Sequence, residues 1–242
     1  KTKAILIPHT LGNPCDMESL KKIASKYKLF LIDDCAHAHG TLYDGKKIGS
    51  LADASTFSFY ATKTLGAWGN AGAVMTNNKE LAERIRKIKG FGGMDKDYSE
   101  MIGYNSRIDT LQAAVLDEKL KYLKKRIKDR SDRARYYHEA LQGIGDIALM
   151  PYLSNVSYYL FPIKTERRDA LRAYLGGKGI PTLVHYPLPI HLQPCFADLG
   201  YKAGHFRMAE HHARTTLSLP FDAFISRKDQ DLVIKAIKAF FT

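Results

Sequence analysis

The hydrophobic positions in the first half of the chain follow two spacings, one typical of buried strands and one typical of helices. Apolar residues recur every three or four positions after Asp16 and after Asn78, and aspartate and asparagine commonly cap helices. Between these helices lie short apolar or β-branched runs, which predict strands over residues 4–9, 29–33, 56–60 and 71–76. This alternation of strands and helices predicts an α/β sheet.

The second half of the chain begins with a helical pattern over residues 108–141, which ends at Gly143 and Gly145. We therefore place a domain boundary there, with one domain over residues 1–143 and a second over residues 144–242. The remaining pattern predicts a small α+β domain. Its predicted elements are a strand over residues 156–163 and helices over residues 166–175, 205–216 and 227–241.

Charge narrows the class of partner. The 242 residues carry 37 basic and 25 acidic side chains, a net charge of +12, which favours nucleic acid, an acidic membrane or a phosphorylated small molecule. The densest basic segment, residues 119–135, also has leucines at helical spacing, which is typical of an amphipathic helix with a solvated basic face. No zinc-ligand or RNA-binding motif accompanies it, so nucleic acid is the weaker hypothesis.

Two further features bear on the location of the protein. No apolar run approaches the roughly 20 residues of a membrane-spanning helix, so we expect no membrane partner. The three cysteines, Cys15, Cys35 and Cys195, are odd in number and far apart. This pattern favours reduced thiols in a cytoplasmic protein over a disulfide framework.

Reactive side chains concentrate at the ends of two predicted strands, where open α/β sheets bind their ligands. The first segment, residues 33–40, reads Asp-Asp-Cys-Ala-His-Ala-His-Gly. The second contains Ser58 and Lys63 and runs into Gly66, Gly69 and Gly72. A lysine can form a Schiff base there, a carboxylate can hold a protonated pyridine nitrogen, and a serine hydroxyl suits a phosphate oxygen.

Each of these residues also has a simpler interpretation. An aspartate after an apolar strand is often a helix cap or a metal ligand, and a lysine before glycines is often merely exposed. His37 and His39 suggest a metal, but their spacing beside an Asp pair matches no strong zinc pattern, and we predict no metal site. Composition and spacing alone indicate an α/β enzyme with an anionic ligand.

Several ordered motifs together resemble the DegT/StrS family of sugar aminotransferases, and the resemblance runs along essentially the whole chain. Residues 31–40 resemble the family's acid–Asp–x–Ala–Gln/His–Ala–x–Gly motif, and Ser58 to Gly66 resembles its Ser–Phe–aromatic–x–x–Lys motif. The remaining matches are Gly-Tyr-Asn at residues 103–105, Gln-Ala-Ala at 112–114, His-Tyr-Pro at 185–187 and Leu-Ser-Leu-Pro at 217–220.

The resemblance implies the fold-type-I scaffold of pyridoxal-phosphate enzymes, with a partial large domain on a mixed sheet and a small C-terminal α+β domain. It implies that Lys63 binds pyridoxal 5'-phosphate as a Schiff base and shuttles a proton, and that Asp34 pairs with the pyridinium nitrogen. His37 would lie by the cofactor ring or its phenolic oxygen, and Ser58 would bind the phosphate. Asn105, which alone reads equally well as a helix cap, would reach the cofactor phosphate of a second subunit in a homodimer with shared active sites.

The implied activity is transfer of an amino group, with glutamate as donor, to a nucleotide-linked keto-sugar. Residues 9–14 also resemble the related sugar 3-dehydrases, in which histidine replaces the Schiff-base lysine; Lys63 therefore favours transamination. The sequence is also compatible with an aminotransferase for a carbocyclic ketone and with a non-catalytic basic binding module on the same scaffold. Chains of this family usually begin well upstream of Lys1, so we expect the phosphate cup and a ring-stacking aromatic residue to belong to a preceding segment.

Overall fold

A computed structural model describes residues 1–95 and 97–242 of the chain. These residues form two compact units. The first contains Lys1–Lys128 and Asn155–Tyr159, and the second contains Asp129–Ser154 and Leu160–Thr242. The boundary between domains at residues 143 and 144 stays a prediction.

The first unit contains the elements that the hydrophobic pattern predicts, with ends shifted by one or two residues. Its strands are β1 (Ala4–Pro8), β2 (Phe30–Asp34), β3 (Leu42–Tyr43), β4 (Lys46–Lys47), β5 (Ala54–Ser58) and β6 (Gly72–Met75). Its helices are α1 (Met17–Tyr27), α2 (Lys79–Lys89), α3 (Thr110–Leu120) and the beginning of α4 (Leu123–Leu141).

The main sheet of this unit is mixed and has the strand order β1-β2-β5-β6. Strands β1, β2 and β5 run parallel, and β6 is antiparallel to β5. The predicted α/β class with a mixed sheet is therefore confirmed. Because the three parallel strands point the same way, their carboxyl ends lie along one edge of the sheet, which we call the carboxyl edge.

Local side-chain chemistry sets the starts of the helices. Asp16 accepts a hydrogen bond from the backbone N of Ser19 at 3.2 Å, and Asn78 accepts one from Leu81 at 3.0 Å, so each caps the helix that follows it. The apolar face of α1 packs on the sheet in a core whose fully or largely buried members are Ile7, Met17, Ala24, Leu31, Cys35, Ala38 and Ile48.

The second unit is built on a three-stranded antiparallel sheet flanked by helices. Its strands, in the order β7-β8-β9, are β7 (Ala148–Leu149), β8 (Phe161–Lys164) and β9 (Thr216–Leu219). Besides most of α4, its helices are α5 (Arg168–Gly177), α6 (Arg207–Thr215) and α7 (Arg227–Phe241). The described part of the chain contains no helix with both the length and the apolar character needed to cross a membrane.

Two predicted elements were wrong in extent. The strand over residues 156–163 exists only from Phe161, because the preceding backbone N–H groups find acceptors outside a sheet ladder. Ser157 N donates to the hydroxyl of Thr41 at 3.1 Å, and Tyr159 N donates to the carbonyl of Leu11 at 3.1 Å. The basic helix over residues 119–135 is interrupted between α3 and α4, and its basic face is not wholly solvated, since Arg130 is buried over the ring of Phe221.

Candidate functional site

The carboxyl edge of the sheet brings the two predicted reactive segments together. Asp34 is the last residue of β2, and its register partner on β5 is Thr56. Ser58 ends β5 two residues further on. Because β2 and β5 are parallel neighbours, Asp34 and Ser58 lie at the same edge, and both are half-buried.

Lys63 lies in a tight turn that follows β5. Its backbone N donates to the carbonyl of Tyr60 at 2.8 Å, and the backbone N of Ala67 donates to the carbonyl of Phe59 at 2.8 Å. A Cβ on Gly66 would lie 2.5 Å from the carbonyl oxygen of Ala61, so glycine alone fits the turn without a shift of backbone. The turn holds Lys63 half-buried beside the carboxyl edge.

Helix α3 supports this turn from the side. The ammonium of Lys119 donates to the carbonyl of Gly66 at 2.6 Å, and the side-chain oxygen of Gln112 accepts from the backbone N of Trp68 at 2.7 Å. Both bonds tie backbone groups of the turn to a helix, which restrains the backbone that carries Lys63.

The ring of Tyr159 contacts both Lys63 and His37. The Nζ atom of Lys63 lies 4.4 Å from the centroid of the Tyr159 ring, and the imidazole of His37 stacks on that ring with centroids 4.2 Å apart and planes inclined by 22°. The hydroxyl of Thr62 is 3.1 Å from the hydroxyl of Tyr159. The sequence analysis did not identify Tyr159 as a site residue. A run of aromatic residues predicts a strand, and it does not show that the segment packs against loops distant in sequence.

The tautomer of His37 follows from its backbone neighbour. The N–H of Leu11 donates to Nδ1 of His37 at 3.2 Å, so Nδ1 has no proton and Nε2 carries it in the neutral ring. The hydroxyl of Ser157 also donates to the carbonyl of His37 at 2.9 Å. Both contacts restrain the orientation of the imidazole, whose donor nitrogen is Nε2.

Asp34 does not cap a helix, although an aspartate after an apolar strand often does. Its Oδ1 accepts a hydrogen bond from the backbone N of Ala36 at 3.0 Å, and the chain continues as turns up to β3. The carboxylate therefore stabilises the turn that carries His37, three residues further on.

Next to Asp34 is a buried cluster of His9, Asp33 and Cys35, whose nitrogen, oxygen and sulfur atoms lie within 4.8 Å of one another. The Nδ1 atom of His9 accepts from the N of Cys15 at 3.1 Å, and Nε2 lies 3.3 Å from Oδ1 of Asp33. Burial, together with the carboxylates of Asp33 and Asp34, raises the pKa of the Cys35 thiol to about 12. Burial alone would lower the pKa of His9, but the carboxylate of Asp33 outweighs this effect and raises it to about 9.

His39 is a core residue. Its ring packs beside Phe57 and Phe59, with centroid distances of 5.6 and 5.8 Å, and its side chain is almost fully buried. Burial, helped by the positive charge of Lys63, lowers the pKa of His39 to about 4, so the ring is neutral near pH 7.

Asn105 lies in the segment between α2 and α3 of the first unit. It is exposed, forms an isolated antiparallel bridge with Gly90, and accepts a hydrogen bond from Nε of Arg107 at 3.3 Å. Helix α3 begins after Asp109, four residues further on, so Asn105 is not its cap.

Known proteins resemble this chain along its whole length. A pleiotropic regulatory protein of Geobacillus stearothermophilus is 42% identical to this chain, and the match covers 100% of this chain and 66% of the relative's length. The dTDP-3-amino-3,4,6-trideoxy-alpha-D-glucose transaminase of Streptomyces venezuelae is 40% identical to this chain. That match covers 98% of this chain and 63% of the relative's length. This chain thus spans about two thirds of the length of these relatives.

Solved structures share the fold. The crystal structure of DesV from Streptomyces venezuelae superposes with a TM-score of 0.95 at 40% identity, over 99% of this chain and 65% of that one. The structure of NtdA from Bacillus subtilis with the bound cofactor PMP gives a TM-score of 0.90 at 33% identity, over 99% of this chain and 57% of that one. The predicted fold of pyridoxal-phosphate aminotransferases is therefore confirmed.

The motifs at residues 31–40 and 58–66 are the segments that the structure places at the carboxyl edge. The model of the DegT/DnrJ/EryC1/StrS aminotransferase family matches residues 1–238, nearly the entire chain. The chain belongs to the DegT/DnrJ/EryC1/StrS aminotransferase family.

Proposed function

We propose that this protein is a pyridoxal-phosphate-dependent aminotransferase that transfers an amino group, with glutamate as donor, to a nucleotide-linked keto-sugar. The main support for the proposal is that Lys63 and His37 both contact the ring of Tyr159. These residues lie beside the carboxyl edge, where Asp34 and Ser58 end neighbouring strands. This cofactor uses an amine for its Schiff base and a carboxylate for its pyridinium nitrogen. A hydroxyl and an imidazole N–H can donate to its phosphate and phenolic oxygens.

The charges and hydrogen-bonding groups of Asp34, Ser58 and His37 suit the corresponding groups of the cofactor. Pyridoxal phosphate, when bound, supplies a carbonyl that takes up the amino group and a pyridinium ring that accepts electrons. The carboxylate of Asp34 would hold the proton on the ring nitrogen, because an ionic hydrogen bond favours the charged form of its partner. Ser58 would donate its hydroxyl proton to a phosphate oxygen, and Nε2 of His37 would donate to the phenolic oxygen.

Lys63 would have two tasks. Its Nζ would hold the cofactor covalently before the substrate arrives and, once displaced, would carry a proton from the substrate carbon to the cofactor carbon. Because Lys63 takes the proton up and gives it back, the step needs no other co-reactant. The turn around Gly66 and its bonds to α3 restrain the lysine backbone during both tasks.

Two observations support the substrate class. A relative 40% identical to this chain is named for transamination of a dTDP-linked sugar. The chain also carries a net charge of +12, which suits the diphosphate of a nucleotide-linked sugar. Lys63 favours transamination over dehydration, because the related sugar 3-dehydrases resemble this chain but have histidine at that position.

A regulatory binding module is the second candidate function. The relative with 42% identity is named a pleiotropic regulatory protein, which favours it. The two candidates differ in one chemical respect: only an aminotransferase needs a lysine that reacts with the aldehyde of the cofactor.

We further propose a cytoplasmic homodimer in which Asn105 reaches the second subunit's cofactor phosphate. Cys15, Cys35 and Cys195 form no disulfide, which agrees with a reducing compartment. Asn105 is exposed, as a residue that contacts a second subunit must be in the isolated chain.

Borohydride reduction tests the proposed function. We expect the protein incubated with pyridoxal phosphate to show the absorbance of a Schiff base, and reduction to leave a covalent adduct on the peptide that contains Lys63. Lys63→Ala should lose both the adduct and amino transfer to a panel of nucleotide-linked keto-sugars. Lys46→Ala, which removes an exposed lysine of β4, is the matched control and should keep both. An adduct on other lysines alone, or full turnover by Lys63→Ala, contradicts the proposal.

A further inference from the structure

Tyr159 lies in a short segment that is held against the first unit by backbone hydrogen bonds. Its own N–H donates to the carbonyl of Leu11 at 3.1 Å, and the hydroxyl of Ser157 donates to the carbonyl of His37 at 2.9 Å. The carbonyl of Asn155 accepts from the N of Leu42 at 2.9 Å. Because both ends of the segment are anchored, the position of the Tyr159 ring is set by the backbone and not by the flexible side chain of Lys63.

The ring makes a different contact with each of its three neighbours. The Lys63 ammonium lies over it, 4.4 Å from the centroid, which is within the range of a cation–π interaction. The His37 imidazole stacks on it almost in parallel. The hydroxyl of Thr62 pairs with the phenol oxygen at 3.1 Å, which restrains the far end of the ring.

We propose that Tyr159 is a positioning residue for Lys63 and His37. Its ring would hold the Lys63 side chain while Nζ is free and carries a proton, and its stacking holds the imidazole plane of His37. The inference rests on the proposed function and extends it to a residue from a segment distant in sequence from both motifs.

The physical effect on Lys63 follows from the charge distribution of an aromatic ring. The face of the ring is negative, so it attracts the ammonium form of Lys63 and not the neutral amine. Lys63 is in the ammonium form while it carries the proton between the two carbons. At that stage a long, flexible side chain would otherwise point in many directions, and the ring reduces this freedom.

The test uses the position of the Lys63 nitrogen directly. The protein is first loaded with pyridoxamine phosphate, which leaves Nζ of Lys63 free. Its lysines are then reductively methylated with ¹³C-labelled methyl groups. The NMR signal of Lys63 is the one that is missing in Lys63→Arg. Over the Tyr159 ring, the ring current should move that methyl signal upfield of the other lysine signals. In Tyr159→Leu the signal should return to the ordinary position, whereas Tyr159→Phe, which keeps the ring, should retain the shift.

A graded variant separates ring charge from ring shape. Phenylalanines with increasing numbers of fluorine atoms, placed at position 159, keep the shape but weaken the negative face stepwise. With each fluorine, kcat should fall, reaching about tenfold below the Tyr159→Phe variant at full fluorination, with KM nearly unchanged. This series also keeps the proposal testable if Tyr159→Leu does not fold.

Two results would overturn the proposal. One is a Lys63 methyl signal at the same position in the wild-type protein and in Tyr159→Leu. The other is a set of fluorinated variants with equal kcat, or with losses confined to KM or to thermal stability, since those belong to a merely structural residue. The NMR result needs no turnover, so a protein that shows the shift but transfers no amino group contradicts the proposed function and leaves the position of Lys63 established.

Discussion

The Nε2 atom of His9 lies 3.3 Å from Oδ1 of Asp33, and both side chains are completely shielded from water. The two residues belong to neighbouring strand ends, since His9 follows β1 and Asp33 lies in β2. The backbone N of His9 also donates to the carbonyl of Asp34 at 3.1 Å. The pair therefore joins two neighbouring parallel strands, and Asp33 directly precedes Asp34, the aspartate proposed to hold the cofactor nitrogen.

Removal of His9 should destabilise the protein strongly. In His9→Ala the carboxylate of Asp33 stays buried without its partner, and breaking a buried pair in this way costs about 3–5 kcal/mol. We expect a loss of that size in the free energy of unfolding, measured in urea. His9→Gln, whose amide can still donate to Asp33, should lose clearly less. A loss below about 1 kcal/mol in His9→Ala would mean that the pair does not stabilise this edge of the sheet.

His39 should make the folded protein sensitive to mild acid. Its pKa is about 4 in the folded state, because burial disfavours the charged ring, against about 6.5 for an unfolded chain. Between these values the unfolded state binds the extra proton, so stability is complete above pH 6.5 and falls as the pH falls toward 4. The loss by pH 4 is about 3 kcal/mol.

The measurement is urea unfolding between pH 7 and 4 for the wild-type protein and His39→Gln. The variant should lose less stability over this range, because glutamine takes up no proton. His205→Gln changes an exposed histidine and serves as the control. Parallel pH profiles for the wild-type protein and His39→Gln would contradict the assignment.

Sequence patterns located the strand ends of the site but not the contacts between them. An apolar run that ends in acid predicted β2, and a cap residue before an amphipathic run predicted α1 and α2, because both signals depend on neighbours within a few positions. Tyr159 lies 96 residues beyond Lys63, and its contacts depend on backbone hydrogen bonds to Leu11 and Leu42. Tertiary relations of this kind have no periodic signature in the sequence.

Asp34→Asn should slow the proposed reaction without removal of the bound cofactor. Asparagine is neutral and cannot favour a protonated ring nitrogen, and a hydrogen bond to a charged group contributes about 1.5–3 kcal/mol. We therefore expect kcat to fall about 10- to 100-fold or more, while borohydride still traps the cofactor on Lys63. Asp44→Asn is the matched control, because Asp44 is an exposed turn residue with φ of 48°, a conformation that asparagine also adopts. Equal kcat values for Asp34→Asn and the wild-type protein would remove Asp34 from the proposed site.

The shared active site can be tested with two defective variants. Asn105→Ala and Lys63→Ala should each be inactive as homodimers, because each of their sites lacks one required group. If Asn105 acts on the partner's site, a hybrid dimer has one site with both defects and one site with neither. Random mixing should then restore about a quarter of the wild-type activity, since half of the dimers are hybrids and each hybrid has one intact site.

Mixtures behave differently if Asn105 serves the site of its own chain, or no site. In the first case every site in the hybrid keeps one defect, and mixtures stay inactive although tagged hybrids can be isolated. In the second case Asn105→Ala alone has normal activity. Arg107→Ala is an informative companion, because Arg107 donates to Oδ1 of Asn105 within one chain at 3.3 Å. If that bond orients the amide for a partner's phosphate, Arg107→Ala should lower activity alone and complement Lys63→Ala in the same way.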